Sequence, residues 1–197
     1  MSITAYNRKN AKTISGNKAS VFIAKRTWID TITYDADLTK YPEITALAME
    51  TGKTFKEIQG DIDGVMYTGE GQGGLNYFST QTLQVKITAK SKLVEALIKE
   101  LKEDDGDDAN EYVIIRVDEE NNAWLSGISR SDLQGAEQPW ATFRDPFTSG
   151  QSVEDVDDGN KYTLTWERLS GARESLLSTA LRDTILDGTA AFIDFAV

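Results

Sequence analysis

The residues that could carry out chemistry in this chain are almost all carboxylates. The sequence contains 32 Asp and Glu residues and 21 Lys and Arg residues, but neither histidine nor cysteine. Without histidine the chain lacks the commonest general base and the Ser-His-Asp triad. Without cysteine it lacks thiolate nucleophiles, disulfides and cysteine-based zinc sites. An enzyme built from this sequence would therefore have to use carboxylate or lysine chemistry.

Carboxylates support two kinds of site, and neither has a clear signature here. A pair of acids can hydrolyse a glycosidic bond, but such a pair is defined in space and no pair stands out in the sequence. The acidic clusters at 104–108 and 154–158 lack the ligand spacing of a calcium-binding loop, so they predict solvated loops. We therefore expect no catalytic residues, metal site, cofactor or small-molecule substrate, with a carboxylate-dependent hydrolase as the minor alternative.

A glycine-rich segment, GEGQGGL at 69–75, has some likeness to a phosphate-binding loop. Such a loop needs Gly-Lys-Ser/Thr leading into a helix, whereas here Leu75 and Asn76 follow and the next element is a predicted strand. The glycine content of 64–74 instead predicts a flexible loop or hairpin tip that becomes ordered against a neighbouring subunit. Its candidate interface residues are Gly69, Gly71, Gly73 and Gly74.

The basic residues are distributed unevenly along the chain. The first 29 residues contain six cations and no acid, and the remaining chain has 15 Lys and Arg against 32 Asp and Glu, a formal charge of −17. A basic segment attached to an acidic body is suited to pairing between copies of one chain. We expect residues 1–20 to form an extended basic arm and 21–197 to form a single domain. The candidate interface residues of the arm are Arg8, Lys9, Lys12, Lys18, Lys25 and Arg26.

Hydrophobic periodicity predicts a β-rich chain with a few helices. Strands are predicted within 19–34, with a bend at Trp28, and at 55–63, 77–88, 162–166 and 189–197. A hairpin is predicted from 111–117 and 123–127. Helices are predicted at 38–50, 91–103 and 172–186, the last ending at Gly188.

The segment 132–161 has no convincing periodicity and is long for an irregular stretch within a domain, which is typical of a functional extension. It carries three aromatic residues that a solvated linker would not need, and these are further candidate interface residues: Trp140, Phe143 and Phe147. No stretch approaches the roughly 18 apolar residues of a membrane span. The predicted fold class is α+β, an antiparallel β-sandwich or barrel with a flanking helix, an extended N-terminal arm and a long irregular loop.

The order of elements resembles that of structural proteins of tailed-phage virions, of the tail-tube, ring and head–tail connector kind. The matching features are the segments GQGGLNYFSTQTLQVKIT, KLVEALIKELKE, YVIIRVDEENNAWLSG and GNKYTLTWERL. The resemblance begins at Gly60 and covers about two thirds of the chain. The resemblance is one of pattern rather than of a diagnostic motif. It implies a β-sandwich flanked by a helix, with an arm and a long loop that reach adjacent subunits.

From charge and resemblance together we expect a non-enzymatic virion subunit that forms a ring or tube. Its expected partners are other copies of itself and neighbouring virion proteins, in a virion assembled in the host cytoplasm. An acidic channel would let DNA pass without specific binding, and no membrane partner is expected. The alternative is a capsid decoration or host-binding module, in which 132–161 would contact a receptor.

Overall fold

The structure is a computed structural model that describes residues 20–37, 43–61, 65–71, 79–87, 96, 99, 112–128, 141–142, 162–170 and 174–195. These residues form two sheets and a short helix. The predicted α+β class dominated by β-strands is confirmed.

The larger sheet has eight strands in the order β12-β4-β1-β7-β8-β11-β3-β2. Most neighbours are antiparallel, but β11 runs parallel to β3 and β12 runs parallel to β4, so the sheet is mixed. The strands are β1 (Ser20–Lys25), β2 (Ile29–Tyr34), β3 (Glu43–Met49), β4 (Phe55–Gln59), β7 (Tyr112–Val117), β8 (Ala123–Ser126), β11 (Ser175–Leu177) and β12 (Ile193–Asp194).

The smaller sheet has four strands in the order β5-β6-β10-β9, all antiparallel. They are β5 (Val65–Gly71), β6 (Ser79–Ile87), β9 (Ala141–Thr142) and β10 (Tyr162–Ser170). The helix α1 (Thr179–Leu186) follows β11 and contacts β3.

The larger sheet is curled into a half-barrel, and the connection between β1 and β2 explains why. These strands lie five steps apart in the sheet, yet only the 3₁₀ turn Arg26–Trp28 joins them. Five steps across a flat sheet would span about 24 Å, at about 4.8 Å for each step. The chain from Lys25 to Ile29 reaches at most about 14 Å. A flat sheet is therefore incompatible with this turn.

The core lies on both faces of the central strands. On β1, Val21, Phe22, Ile23 and Ala24 are all buried, so neither face of this strand is open to solvent. One face packs near the C-terminal segment, where the rings of Phe22 and Phe195 meet edge to face. The four buried residues of β1 belong to the same hydrophobic cluster as the buried residues of the smaller sheet, which are Leu83, Val85, Ile87, Leu164 and Trp166.

The predicted helix at 38–50 is wrong, because residues 43–49 form strand β3. The apolar residues Ile44 and Leu47 lie three apart, which is a helical spacing. In the structure this spacing comes from a register shift, since Tyr34 pairs with Ile44 but Thr33 pairs with Ala46. The extra residue in β3 changes which side chains face the core, so that Ile44 and Leu47 both pack there. A bulge therefore gave a strand the apolar spacing of a helix.

The predicted helix at 172–186 is confirmed only in its second half. Residues 175–177 form β11, which is held between β8 and β3. Ser178 continues this contact, since its N–H donates to the carbonyl oxygen of Ile44 (2.9 Å), and its Oγ then caps α1 by accepting from the N–H of Leu181 (3.5 Å). The predicted stop at Gly188 is confirmed by its φ of +69°, a value that glycine adopts readily.

The other predicted elements have mixed outcomes. The strand at 162–166 is confirmed over its whole range, the strands at 19–34, 55–63, 77–88 and 189–197 are confirmed in part of each range, and the hairpin of β7 and β8 is confirmed. The prediction of a flexible loop or hairpin tip at 64–74 is wrong for 65–71, which form β5 and pair with β6 along their length. Ala96 and Lys99 are helical, as the prediction for 91–103 requires. Within 132–161, residues 141–142 form β9, and the other residues of both ranges lie outside the described part.

Candidate assembly interface

The structure describes only part of the sequence-predicted interface. Lys25 ends β1 and Arg26 begins the turn to β2, so both belong to the folded body and both are half-buried. Gly69 and Gly71 lie in β5. The remaining predicted interface residues lie outside the described residues: Arg8, Lys9, Lys12, Lys18, Gly73, Gly74, Trp140, Phe143 and Phe147.

The turn between β1 and β2 is anchored by Trp28, whose side chain is buried. Its carbonyl oxygen accepts a hydrogen bond from the N–H of Glu50 (2.9 Å), just after the end of β3. The ammonium of Lys53 lies 5.3 Å from the centre of the indole ring, a cation–π contact. These contacts hold the start of β2 against the end of β3, and so position the outermost strand of the sheet.

A cluster around Arg116 joins the two sheets. Arg116 lies on β7, and its guanidinium donates through Nε to Oε1 of Glu174 (3.2 Å) and through Nη2 to Oε2 of the same carboxylate. The guanidinium carbon lies 4.3 Å from the ring centre of Tyr67, which belongs to β5 of the smaller sheet. It also lies 5.7 Å from the ring centre of Trp124 on β8. One side chain thus connects two sheets and the segment before β11.

The hairpin between β7 and β8 continues this cluster. Nε1 of Trp124 donates to Oδ2 of Asp118 (2.7 Å), and the N–H of Asn122 donates to Oδ1 of Asp118 (2.8 Å). Burial acts to raise the pKa of Asp118, but these hydrogen bonds, led by that from Trp124, lower it below its ordinary value of 3.8. Asn121 completes the turn with a φ of 62°, a conformation that Asn tolerates better than most residues.

The chemistry of the cluster is that of a structural clamp. The guanidinium of Arg116 is bidentate on Glu174, and the Asp118 carboxylate accepts from the hairpin and from Trp124, so these groups satisfy one another. Among the described residues, no group of Asp and Glu side chains is arranged to hold a metal ion. The sequence analysis missed this cluster. Its signal was an arginine within the otherwise apolar strand YVIIRV, since a cation there must find a partner.

The two ends of the larger sheet are different. At one end, β12 has only two residues, and its Asp194 forms an ion pair with Lys56 of β4. The rings of Phe55 and Phe192 pack beside it. At the other end, β2 has six residues and ends the strand order of the sheet, with exposed Thr31 and Thr33. The outer side of β2, from Ile29 to Tyr34, is called the β2 edge below.

Comparisons with protein-family models, with curated proteins and with solved structures found no match to this chain. None of the helices in the described part of the chain is long and apolar enough to cross a membrane. The candidate interface therefore rests on the charge distribution of the sequence and on the geometry of the β2 edge.

Replacing Glu174 with Ala should lower the free energy of unfolding by about 3–5 kcal/mol, because it leaves the largely buried guanidinium of Arg116 without its carboxylate. The matched control is Arg182→Ala, which removes the exposed ion pair with Asp183 and should cost less than about 1 kcal/mol. Urea unfolding of both variants measures the difference. Equal losses in the two variants would contradict the role of Arg116 as a clamp between the sheets.

The hydrogen bond from Trp124 should control the titration of Asp118. Trp124→Phe removes the donor, so the pKa of Asp118 should rise in the variant, as followed by the carboxyl carbon signal in an NMR titration. Because the folded pKa is depressed, Asp118 contributes stability above its ordinary value of 3.8 and loses it as pH falls through the folded pKa. An unchanged pKa of Asp118 in Trp124→Phe would show that the indole is not the main cause.

Proposed function

We propose that this chain is a non-enzymatic structural subunit of a phage virion that assembles into a ring or tube, of the tail-tube or neck-connector kind. The observation that carries the proposal is the charge distribution, six cations without an acid in the first 29 residues followed by a body of formal charge −17. Opposite charges on separate parts of one subunit favour contacts between copies over contacts with unrelated partners.

The described part of the chain is compatible with such a role. Its most extensive polar cluster, around Arg116, is directed inwards and links the sheets, which suits a rigid building block. Among the described strands, the six-residue β2 ends the strand order of the larger sheet, and an outermost strand is a natural site for pairing with another chain. A subunit with a rigid core and an outermost strand that can pair is suited to repeated assembly.

The negative charge of the body also affects how the subunit would interact with DNA. Phosphate attracts basic surfaces and is repelled by acidic ones, so a ring lined by this body would let DNA pass without specific binding. The six cations of the N-terminal segment are spread over 29 residues and are attached to a body whose net charge is negative, like that of DNA. They are therefore better suited to an acidic neighbouring subunit, and the surrounding partners in the virion would be other structural proteins.

The arm variant Arg8→Glu, Lys9→Glu, Lys12→Glu and Lys18→Glu should remain folded but no longer assemble, because the arm would then repel an acidic neighbour. Negative-stain microscopy of the purified wild type should show rings or tubes, and circular dichroism should show the same fold in both proteins. A matched control carries four Lys→Arg or Arg→Lys exchanges at the same positions, which keep the charge and should keep assembly.

Three outcomes would contradict the proposal. Normal rings or tubes from the charge-reversed variant would remove the electrostatic basis for assembly. A wild-type protein that stays monomeric at high concentration would favour the alternative of a decoration or host-binding module, in which 132–161 with Trp140, Phe143 and Phe147 contacts a receptor. Tight DNA binding that disappears with the arm would assign the arm to nucleic acid instead.

A further inference from the structure

The last described segment of the chain joins two distant places in the larger sheet. It begins with β11, which is inserted between β8 and β3, and it ends with β12, which pairs with β4. These two strands lie five steps apart in the strand order, about 24 Å across a flat sheet. Helix α1, about 12 Å long, covers part of this distance. Residues 174–195 are called the C-terminal strap below.

The first end of the C-terminal strap, residues 174–178, is held from several sides. The carboxylate of Glu174 is buried and accepts both hydrogen bonds from the guanidinium of Arg116. Strand β11 pairs with one strand on each side. The N–H of Ser178 then donates to the carbonyl oxygen of Ile44 (2.9 Å). Removing this end would leave a largely buried cation without its carboxylate and would take out the strand between β8 and β3.

The middle of the C-terminal strap is fixed to the core through α1. Ile185 is buried, and Leu181 and Leu186 pack against the hydrophobic cluster. After the helix, the N–H of Ala190 donates to the carbonyl oxygen of Thr184 (3.0 Å), and Ala190 is itself buried. The strap is therefore held by the helix and by burial as far as Ala190.

The last residues of the C-terminal strap, 191–195, are held by fewer main-chain contacts. Strand β12 has two residues and is the last described strand in the order, with β4 as its neighbour. The N–H of Phe55 donates to the carbonyl oxygen of Phe192 (2.9 Å). Asp194 forms an ion pair with Lys56, but its side chain is 52% exposed, and exposed ion pairs contribute little to stability. This end is consequently the easier one to detach.

Side-chain contacts keep the same end in place when the strap is closed. Ile193 is buried, and edge-to-face ring contacts join Phe192 to Phe55 and Phe195 to Phe22. Apolar burial favours the closed state without adding further main-chain hydrogen bonds. Strands β1 and β4 remain paired with each other when β12 leaves. Opening at this end therefore removes a cover from the sheet but takes no strand from its middle.

We propose that the C-terminal strap is a conformational device with a fixed end at 174–178 and a releasable end at 191–195. In the closed state the strap ties β4 to β11 across the curled sheet. In the open state β12 leaves β4, while β11 and α1 stay in place. Opening removes one ring contact from each of Phe22 and Phe55, which are buried in the closed state. The device goes beyond the proposed function and does not rest on it, because it belongs to the single subunit.

Hydrogen exchange with residue resolution, on the unmodified chain, tests the difference between the two ends. After correction for intrinsic rates, the amide of Phe55 should exchange at least about tenfold faster than the amide of Ser178, because local openings are cheaper than global unfolding. Exchange at Phe55 should respond little to low concentrations of urea, since a local opening exposes little surface. Exchange at Ser178 should follow urea as global unfolding does.

A disulfide across the releasable end gives a locked form, because the chain has no cysteine of its own. Lys56→Cys and Asp194→Cys replace two side chains that touch and whose Cα atoms are partners in the register. In the oxidised double variant, exchange of the Phe55 amide should slow to the corrected rate of Ser178. In the reduced form of the same variant it should stay fast.

A milder pair of variants needs no cross-link. Asp194→Asn removes the ion pair with Lys56 and should speed exchange of the Phe55 amide about two- to fivefold, the range expected for an exposed pair. The matched control, Arg182→Ala, removes the ion pair with Asp183 on α1 and should leave that amide unchanged.

Two results would overturn the device. Equal corrected rates at Phe55 and Ser178 in the unmodified chain would show that the strap has no separate fixed and releasable ends. Fast exchange of the Phe55 amide in the oxidised double variant would assign its opening to a movement other than release of β12. Both results are independent of whether the subunit assembles, so they leave the proposed function untouched.

Discussion

Three residues, Arg26–Trp28, join two strands that are five steps apart in one sheet, and the rest of the architecture depends on this short connection. The sheet must curl because the turn cannot span its flat width. Curling encloses the central strands, which explains why four successive residues of β1 are buried. It also brings β2 close to the end of β1, and Trp28 fills the corner with its carbonyl bound to Glu50. The position of β2 at the end of the strand order is thus a consequence of the turn.

A second consequence concerns the polar groups of the core. When both faces of a central strand are covered, a charged side chain on that strand must be paired within the fold. Arg116 meets this requirement with Glu174 on one side and the rings of Tyr67 and Trp124 on the other. Because Tyr67 belongs to the smaller sheet, the same pairing fixes how the two sheets meet. The body is therefore held together where its sheets join.

Strands in which apolar and polar residues alternate regularly can be predicted from the sequence. Elements that are shaped by tertiary contacts cannot. β6 and β10 alternate cleanly and are predicted from the sequence, as is the hairpin of β7 and β8, whose apolar strands flank a polar turn. β3 was mistaken for a helix because a bulge spaces Ile44 and Leu47 three residues apart. β11 was hidden because Leu177 and Leu181 have helical spacing on either side of the Ser178 cap. For the candidate interface, the excess of cations could be read from the sequence, but the identity of the outermost strand could not, since strand order depends on contacts distant in sequence.

In the proposed assembly, opposite charges on one chain drive its copies together, and the mass of the protein in solution tests this most directly. Mass photometry should show assemblies at multiples of the 21.8 kDa subunit at low ionic strength, a single species for a ring and a distribution for a tube. Because screening shortens the range of charge interactions to about 3 Å at 1 M salt, these assemblies should dissociate as salt is raised. A monomer at every concentration and ionic strength would contradict the account, as would an oligomer whose mass and stability do not respond to salt.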